Sequence, residues 1–225
     1  MALEKKDFIE VEFTAKVKDG EIFDSNIKED LEKVHEGHNH EIKAEPFVFC
    51  LGEGMFLEGV DDFLIGKPED PATYEIELPP EKAFGKRNPA LMQKIPIKVF
   101  KEQNLNPIPG FVFNFDGRIG KVLASSGGRV IVDFNNPVAG KDVVYKVHIF
   151  RKITSEDEKV KALVKFFFRD DFKFEIKEKK ILLHVPLPLV EFAKIFSEKF
   201  KSILGLELEA LESKEKRGEK AEAKA

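Results

Sequence analysis

Residues 9–26 have the sequence IEVEFTAKVKDGEIFDSN, and its first nine residues alternate strictly between apolar and polar side chains. A period of two is that of a β-strand with one buried face. The pair Asp19-Gly20 follows at once and favours a hairpin turn. This stretch therefore predicts that the chain begins with a half-buried antiparallel strand.

The same kind of pattern extends over residues 1–86. The polar stretch from Lys28 to Glu45 predicts a loop or a short helix, and strands are predicted at 47–51 and 72–78. Between them, Leu57, Val60 and Leu64 recur at helical spacing, and Gly66 stands where that helix would end. These elements predict a curled antiparallel sheet over one short helix.

The residue pattern changes between Arg87 and Asn136, where proline and glycine residues break the chain into short predicted strands. Two sets of alternating apolar residues predict strand faces in this segment: Phe111, Phe113 and Phe115, then Val130, Val132 and Phe134. A strand at 143–150 is predicted to return to the first sheet. The middle segment is therefore predicted to be a small inserted β-domain.

A third unit is predicted from residue 154 onward. Ser155 and Glu158 have the spacing of a capping box ahead of an amphipathic helix. Strands are predicted at 172–176, 181–185 and 206–211, with one long helix from Leu189 to Leu204 that ends at Gly205. Residues 213–225 are mostly Lys, Glu and Ala and predict a disordered charged tail. The fold class is α+β.

Composition limits the classes of function. The chain has 225 residues, of which 42% are hydrophobic and 35% charged, with a formal net charge of -4. This balance argues against a general nucleic-acid binder, which needs an excess of Lys and Arg. The single cysteine, Cys50, fits a reducing compartment. No signal peptide or membrane span is predicted, so a cytoplasmic protein is expected.

Three short motifs carry a resemblance to a known family. Phe23-Asp24-Ser25, the strand Pro46-Phe47-Val48-Phe49-Cys50-Leu51-Gly52 and Ala83-Phe84-Gly85 resemble, in order and spacing, those of FKBP-type peptidyl-prolyl cis/trans isomerases. The segment from Arg87 to Asn136 is similar to the insert-in-flap domain of the SlyD-like branch. The resemblance covers about residues 7–153, and the remaining domain resembles that of the long form of this branch.

The resemblance implies the domain boundaries and the site. Residues 1–86 with 137–153 would form the isomerase domain, 87–136 the insert-in-flap chaperone domain and 154–212 a C-terminal α+β domain. The implied catalytic pocket is apolar and needs neither cofactor nor metal. Its expected residues are Phe13, Phe23, Asp24, Phe47, Phe56, Leu57, Val60, Phe84 and Tyr145. The implied partners are unfolded or partly folded chains with X-Pro bonds.

Four positions depart from the family pattern. Phe13 and Phe84 stand where many members carry tyrosine, so two hydroxyl groups are absent. Val60 replaces the tryptophan of the best-known members, which predicts a smaller pocket floor and makes macrolide binding doubtful. Asn136 stands where SlyD-like members commonly have a metal-binding histidine, so metal dependence is not expected.

Other residues admit two interpretations. Asp24 either braces the loop after it or acts electrostatically on the substrate, and the two roles are compatible. His35, His38 and His40 have the ligand types of a zinc or nickel site, but a solvated polar loop is the more common explanation. Phe49 and Phe63 are expected to be ordinary core residues. Gly52-Glu53-Gly54 predicts a turn, and Cys50 lacks the partners of a catalytic thiol.

Two alternatives remain at the level of function. The leading hypothesis is an active isomerase whose insert domain holds unfolded chains near the pocket. The rival is a holdase in which the pocket is idle and the insert does all the work. Separately, the apolar stripe from Leu189 to Leu204 suggests a homodimer formed through the C-terminal domain.

Overall fold

The computed structural model describes residues 1–34 and 44–213. The β-strands in these ranges are β1 (Phe8–Val17), β2 (Ile22–Ser25), β3 (Phe47–Cys50), β4 (Ala72–Leu78), β5 (Met92–Pro96), β6 (Val112–Phe115), β7 (Arg118–Ser126), β8 (Arg129–Asp133), β9 (Val143–Ile153), β10 (Phe174–Lys177), β11 (Lys180–Val185) and β12 (Glu207–Glu212). The α-helices are α1 (Lys28–Val34), α2 (Glu58–Leu64), α3 (Ile97–Glu102), α4 (Glu156–Phe168), α5 (Leu187–Lys194) and α6 (Ser197–Leu204). Short 3-10 turns occupy Pro80–Lys82 and Pro89–Leu91.

The chain forms two compact units. The first comprises Met1–Thr14, Ser25–Tyr74 and the chain from Val147 onward, and the second comprises Ala15–Asp24 and Glu75–Lys146. The predicted domain boundaries were drawn from changes in the sequence pattern and not from contacts in the folded chain, and they stay a prediction.

The opening strand buries the face that its alternation predicts. Ile9, Val11, Phe13 and Ala15 are all buried on β1. The largest sheet has the strand order β2-β1-β9-β4, and β3 pairs antiparallel with β1. Because β9 lies between β1 and β4, the chain does return to the first sheet after the middle segment, as predicted. The α+β fold class is likewise confirmed.

The predicted short helix is α2, and glycine-containing turns lie on either side of it. Gly52 and Gly54 have φ of 71° and 74°, a left-handed conformation that glycine adopts without strain. They form the turn that the sequence predicts between β3 and the helix. Gly66, with φ of 88°, follows the end of α2, also as predicted.

The middle segment forms a four-stranded antiparallel sheet in the order β5-β8-β7-β6. Its core is Phe100, Val122, Val130 and Val132, with further partly buried residues packed around them: Ile95, Ile97, Leu105, Phe113, Phe115 and Phe134. The two predicted apolar faces therefore pack on one core, except that Phe111 precedes β6 and is 53% exposed. The prediction of strands alone was incomplete, because α3 supplies Phe100, and six residues are too few to show a helical period.

The C-terminal residues form a separate three-stranded sheet in the order β10-β11-β12, with β11 and β12 parallel. Ser155 Oγ accepts a hydrogen bond from the Glu158 amide, so the predicted helix start is confirmed. The single long helix predicted from Leu189 to Leu204 is wrong. Tight i→i−3 hydrogen bonds at Ile195 and Phe196 divide it into α5 and α6. Gly205 ends α6 in the left-handed conformation, as predicted.

Within the first unit, α6 is attached to the β3–α2 turn and to the N-terminal segment. Lys199 Nζ lies 2.7 Å from Glu53 Oε2, and the Glu53 side chain is only 9% exposed. Lys6 Nζ donates to the carbonyl of Ser202 at 2.6 Å, near the helix C-terminus, where a cation is favourable. Helix α6 is thus attached to the turn that leads into α2.

Candidate active site

Four of the aromatic rings named in the sequence analysis form one cluster in the first unit. The ring centroid of Phe56 lies 4.9 Å from that of Phe13, 5.6 Å from Phe47 and 5.1 Å from Phe49. Phe47 stacks on Phe49 at 5.3 Å. Three predicted pocket residues, Phe13, Phe47 and Phe56, are therefore in mutual contact through Phe56, while Phe49 is fully buried, as expected of a core residue.

Helix α2 carries the next two predicted residues. Leu57 is the N-cap residue of α2, and its carbonyl accepts from the amides of Val60 and Asp61. Val60 has no exposed surface. Phe63, expected in the core, is instead half-buried and meets Tyr74 edge-on at 5.8 Å.

A second aromatic cluster lies in the second unit. The Phe23 ring meets Phe84 edge-on at 5.5 Å and Tyr145 at 6.1 Å. Phe84 follows the 3-10 turn that begins at Pro80, and the next residue, Gly85, has φ of 74° and donates its amide to the Pro80 carbonyl. The prolines that end β4 therefore also build the bend that presents Phe84.

Tyr145 is the phenol of this second cluster, and it stays protonated. Its side chain is almost fully buried, which raises the pKa of the Tyr145 hydroxyl far above its usual range, and the negative charge of Asp24 adds to the rise. Asp24 itself is exposed. A protonated phenol can donate a hydrogen bond to a substrate carbonyl, the role for which Phe13 and Phe84 carry no hydroxyl.

The loop after Asp24 contains a polar network that the sequence analysis missed. Ser25 Oγ donates to the Phe13 carbonyl and accepts from the Ile27 amide. Thr14 Oγ1 donates to Asp30 Oδ2 at 2.6 Å, which joins β1 to α1. The signal available in the sequence was the run Ser25-Asn26, since both residue types bond to nearby backbone.

The remaining candidates do not form a second kind of site. Burial raises the pKa of the Cys50 thiol to about 12, so it is not a ready nucleophile. His35, His38 and His40 lie outside the described residues. Within residues 1–34 and 44–213, no three His, Cys, Asp or Glu side chains are grouped to hold a metal ion. Asn136 is exposed and accepts from the Val138 amide.

Comparison with known proteins identifies the family. Residues 1–101 match the family described as FKBP-type peptidyl-prolyl cis-trans isomerase, and residues 93–138 match the family described as FKBP26, IF domain. The probable FKBP-type 16 kDa peptidyl-prolyl cis-trans isomerase of Pseudomonas fluorescens is 35% identical over 108 residues, which are 46% of this chain and 71% of that protein. The chain belongs to the FKBP-type isomerase family.

Two further relatives of this FKBP-type isomerase extend over more of its length. The short-type peptidyl-prolyl cis-trans isomerase of Methanocaldococcus jannaschii is 29% identical over 147 residues, 65% of this chain and 92% of that protein. The SlyD protein of Aeromonas hydrophila is 27% identical over 153 residues, 66% of this chain and 65% of its own. The predicted family and the predicted enzyme class are therefore confirmed.

None of the helices in the described part of this FKBP-type isomerase combines the length and apolar character that crossing a membrane requires.

Proposed function

We propose that this enzyme isomerises X-Pro bonds in a pocket walled by the nine residues that the resemblance indicates. The observation that carries the proposal is that six of them form two aromatic clusters, one centred on Phe56 and one on Phe23.

The chemistry needs no covalent step. Rotation about a peptide bond crosses a barrier of about 18–20 kcal/mol because twisting destroys amide resonance. Water favours the charge-separated planar amide, so an apolar cleft weakens the planar form relative to the twisted one. Lowering the barrier by about 5–7 kcal/mol would accelerate the reaction by roughly four to five decades. The Tyr145 hydroxyl would bond a substrate carbonyl, and Asp24 would act on the polarised bond or brace its own loop.

The pocket is tested by replacing its rings and measuring kcat/KM on a short proline peptide. We expect Phe84→Leu to lower kcat/KM roughly tenfold, and Asp24→Ala to lower it as well, because a misplaced wall or charge weakens transition-state stabilisation. Phe166→Leu is the matched control, since Phe166 is also half-buried but lies on α4. Unchanged kcat/KM in both pocket variants would overturn the proposed site.

We further propose that the middle domain binds unfolded chains. Five apolar side chains on and before its β6–β7 hairpin are more than one-third exposed: Ile108 at 42%, Phe111 at 53%, Val112 at 56%, Ile119 at 59% and Leu123 at 38%. The strand β6 is an edge of its sheet, so its backbone also offers unpaired groups to an extended chain. A cluster of exposed apolar residues of this kind marks an interaction site.

The capture role is tested by the triple variant Phe111→Ser, Val112→Ser, Ile119→Ser. Its ability to accelerate refolding of a proline-limited protein should fall far more than its kcat/KM on a short peptide, because only the long substrate uses the hairpin. Equal losses on both substrates would contradict capture by this domain. The holdase alternative makes a different prediction for the pocket variants. Phe84→Leu and Asp24→Ala would then assist protein refolding as well as the unaltered chain does.

Association and location complete the proposal. Leu187, Phe192 and Ile195 on and after α5 are 63%, 41% and 70% exposed, which supports a homodimer through the C-terminal domain. Light scattering that shows a monomer at high concentration would dismiss it.

The buried free thiol of Cys50 suits the reducing cytoplasm, where we propose that the enzyme works.

A further inference from the structure

The side chain of Asn26 bonds three separate backbone groups. Its Oδ1 accepts from the Phe13 amide at 2.6 Å, and its Nδ2 donates to the carbonyls of Val11 at 3.0 Å and Glu45 at 3.1 Å. The Asn26 amide also donates to the Phe13 carbonyl at 3.2 Å. Asn26 therefore occupies both polar backbone groups of Phe13 and reaches the segment before β3.

This position is where the pairing of β1 with β3 stops. The register runs from Phe8 opposite Cys50 to Val11 opposite Phe47, and two further residues would place Phe13 opposite Glu45. Instead of bonding each other, these two residues bond the two ends of the same side-chain amide. The Asn26 amide thus stands between the two segments and replaces the next rung of the ladder.

Only a carboxamide supplies this set of bonds at this length. Its oxygen accepts and its nitrogen donates twice, so one backbone N–H donor and two carbonyl acceptors are satisfied together. A carboxylate could still accept from Phe13, but it would face the carbonyls of Val11 and Glu45 with no proton to donate. The surrounding groups also fix which end of the amide is oxygen, because an N–H lies on one side and carbonyls on the other.

The segments that Asn26 joins carry two rings of the first cluster. The backbone of Phe13 bonds directly to Asn26, and Phe47 lies two residues after Glu45, the other residue that Asn26 contacts. Both rings contact Phe56, at 4.9 Å and 5.6 Å. The distance between the two backbone segments therefore sets the spacing of the two rings around the third.

We propose that Asn26 is a positioning residue of the isomerase. It separates β1 from the segment before β3 by the width of one amide and thereby holds the rings of Phe13 and Phe47 in register with Phe56. The inference rests on the proposed role of these rings in the pocket. Asn26 itself touches no substrate in this scheme and acts through Phe13 and Phe47.

The test is a double-mutant cycle between Asn26→Asp and Phe13→Leu, read as kcat/KM on a short proline peptide. Asn26→Asp alone should lower kcat/KM roughly tenfold, since it keeps the bond to the Phe13 amide but loses both donors. In the Phe13→Leu background the same change should cost less than about threefold, because the ring that it positions is gone. Full additivity would overturn the role through Phe13.

A matched control separates positioning from simple loss of stability. Asn135 makes a similar set of bonds elsewhere: its Oδ1 accepts from the Asn88 amide, and its Nδ2 donates to the Asn88 carbonyl and to Asp133. Asn135→Asp should lower the melting temperature but leave peptide kcat/KM within about twofold. If Asn135→Asp lowers kcat/KM as much as Asn26→Asp does, the effect is one of stability and the proposal fails.

Two further measurements keep the outcome clear. If the Asn26→Asp variant does not fold, proton NMR of the unaltered protein replaces it. The protons of the Asn26 side-chain NH₂ should exchange slowly with solvent, and their NMR signals should shift when a proline peptide is added. Fast exchange without a shift of these signals would overturn the proposal. Phe13→Leu and Phe84→Leu by themselves test the pocket. If those two lower kcat/KM while the Asn26 variant does not, Asn26 loses its role and the pocket stands.

Discussion

Asp61 on α2 is a buried carboxylate whose chemistry the proposed reaction does not use. Its side chain is almost fully buried, Oδ2 accepts from the Gly52 amide, and Oδ1 has no hydrogen-bond partner among the residues that the structure describes. Burial raises the pKa of Asp61 from 3.8 to about 6, with smaller contributions from the charges of nearby acidic residues, while the Gly52 amide opposes the rise. Asp61 therefore costs stability whenever it is ionised.

The pH dependence of stability should reveal this group. Because the pKa of Asp61 is higher in the folded state, the folded chain binds more protons between about pH 4 and pH 6, and its contribution to stability falls as pH rises through that window. The cost above pH 6 is up to about 3 kcal/mol. The stability difference between Asp61→Asn and the unaltered protein should thus shift in favour of the variant from pH 4 to pH 7, as measured by chemical unfolding. A pH-independent difference would contradict the raised pKa, and Asp62→Asn, at the exposed neighbouring position, serves as control.

Gly120 on β7 is a position where the packing admits no side chain. A Cβ there would lie 2.6 Å from Val132 Cγ1 and 2.8 Å from Phe134 Cε1, both in the core of the middle domain. We expect Gly120→Ala to destabilise this domain by about 1–3 kcal/mol through overpacking. Thermal unfolding measures the change, and Lys121→Ala, at the exposed next position, should stay within about 0.5 kcal/mol. Equal melting temperatures for the two variants would show that the core can rearrange.

Single residues of this kind are the hardest to predict from sequence. Asn26 has no periodic pattern around it, and nothing in Asp61-Asp62 shows which of the two carboxylates faces inward. Both bond to backbone groups outside their own element, 9 to 19 residues away in the chain, so only the folded structure shows their roles.

At the scale of elements, the partly buried pair of Lys199 on α6 and Glu53 in the turn before α2 is expected to contribute to stability. Lys199→Ala would leave a carboxylate that is only 9% exposed without its cation, and we expect a loss of about 2–3 kcal/mol, less than for a fully buried pair because Lys199 is 40% exposed. The double variant Lys199→Met, Glu53→Gln should recover part of this loss. Lys201→Ala breaks a pair whose side chains are both more than half exposed, and it should lower the free energy of unfolding far less than Lys199→Ala does. Chemical unfolding of the three variants measures the losses, and equal losses for Lys199→Ala and Lys201→Ala would refute the distinction.

Elements with a long or capped pattern were predictable, and short or interrupted ones were not. The nine alternating residues of β1 and the capping residue Ser155 of α4 are patterns too specific to arise by chance from the composition of the chain. Helix α3 has six residues, less than two turns, and the break at Ile195 and Phe196 occurs between residues that both keep helical dihedral angles. The apolar period continues through that break, so the sequence alone indicates one helix.

At the scale of the molecule, the candidate site came from resemblance and not from periodicity. Phe13, Phe23, Phe56 and Phe84 belong to four different segments of the chain, and each of them alone has the pattern of an ordinary core residue. Only the order and spacing of the family motifs singled them out. The structure then adds the contacts within each cluster and the protonated state of Tyr145.

The insert can also be tested as a whole. If the insert captures long substrates as proposed, removal of residues 88–136, with a short linker, should keep most of the kcat/KM on a short peptide and lose most of the acceleration of protein refolding. Parallel assays with both substrates measure this, and a matching fall in the two would contradict the division of labour.

The two ends of the insert lie close together in the folded chain. Asn88 and Asn135 hold each other through both a backbone amide and a backbone carbonyl, at 2.8 Å and 3.0 Å, and Arg87 pairs with Asp133 beside them. The chain segments that enter and leave the insert therefore lie within hydrogen-bond distance of each other. A tight turn would therefore join the two ends if the whole segment were removed, and we expect that a different segment exchanged at this base would leave the rest of the fold intact.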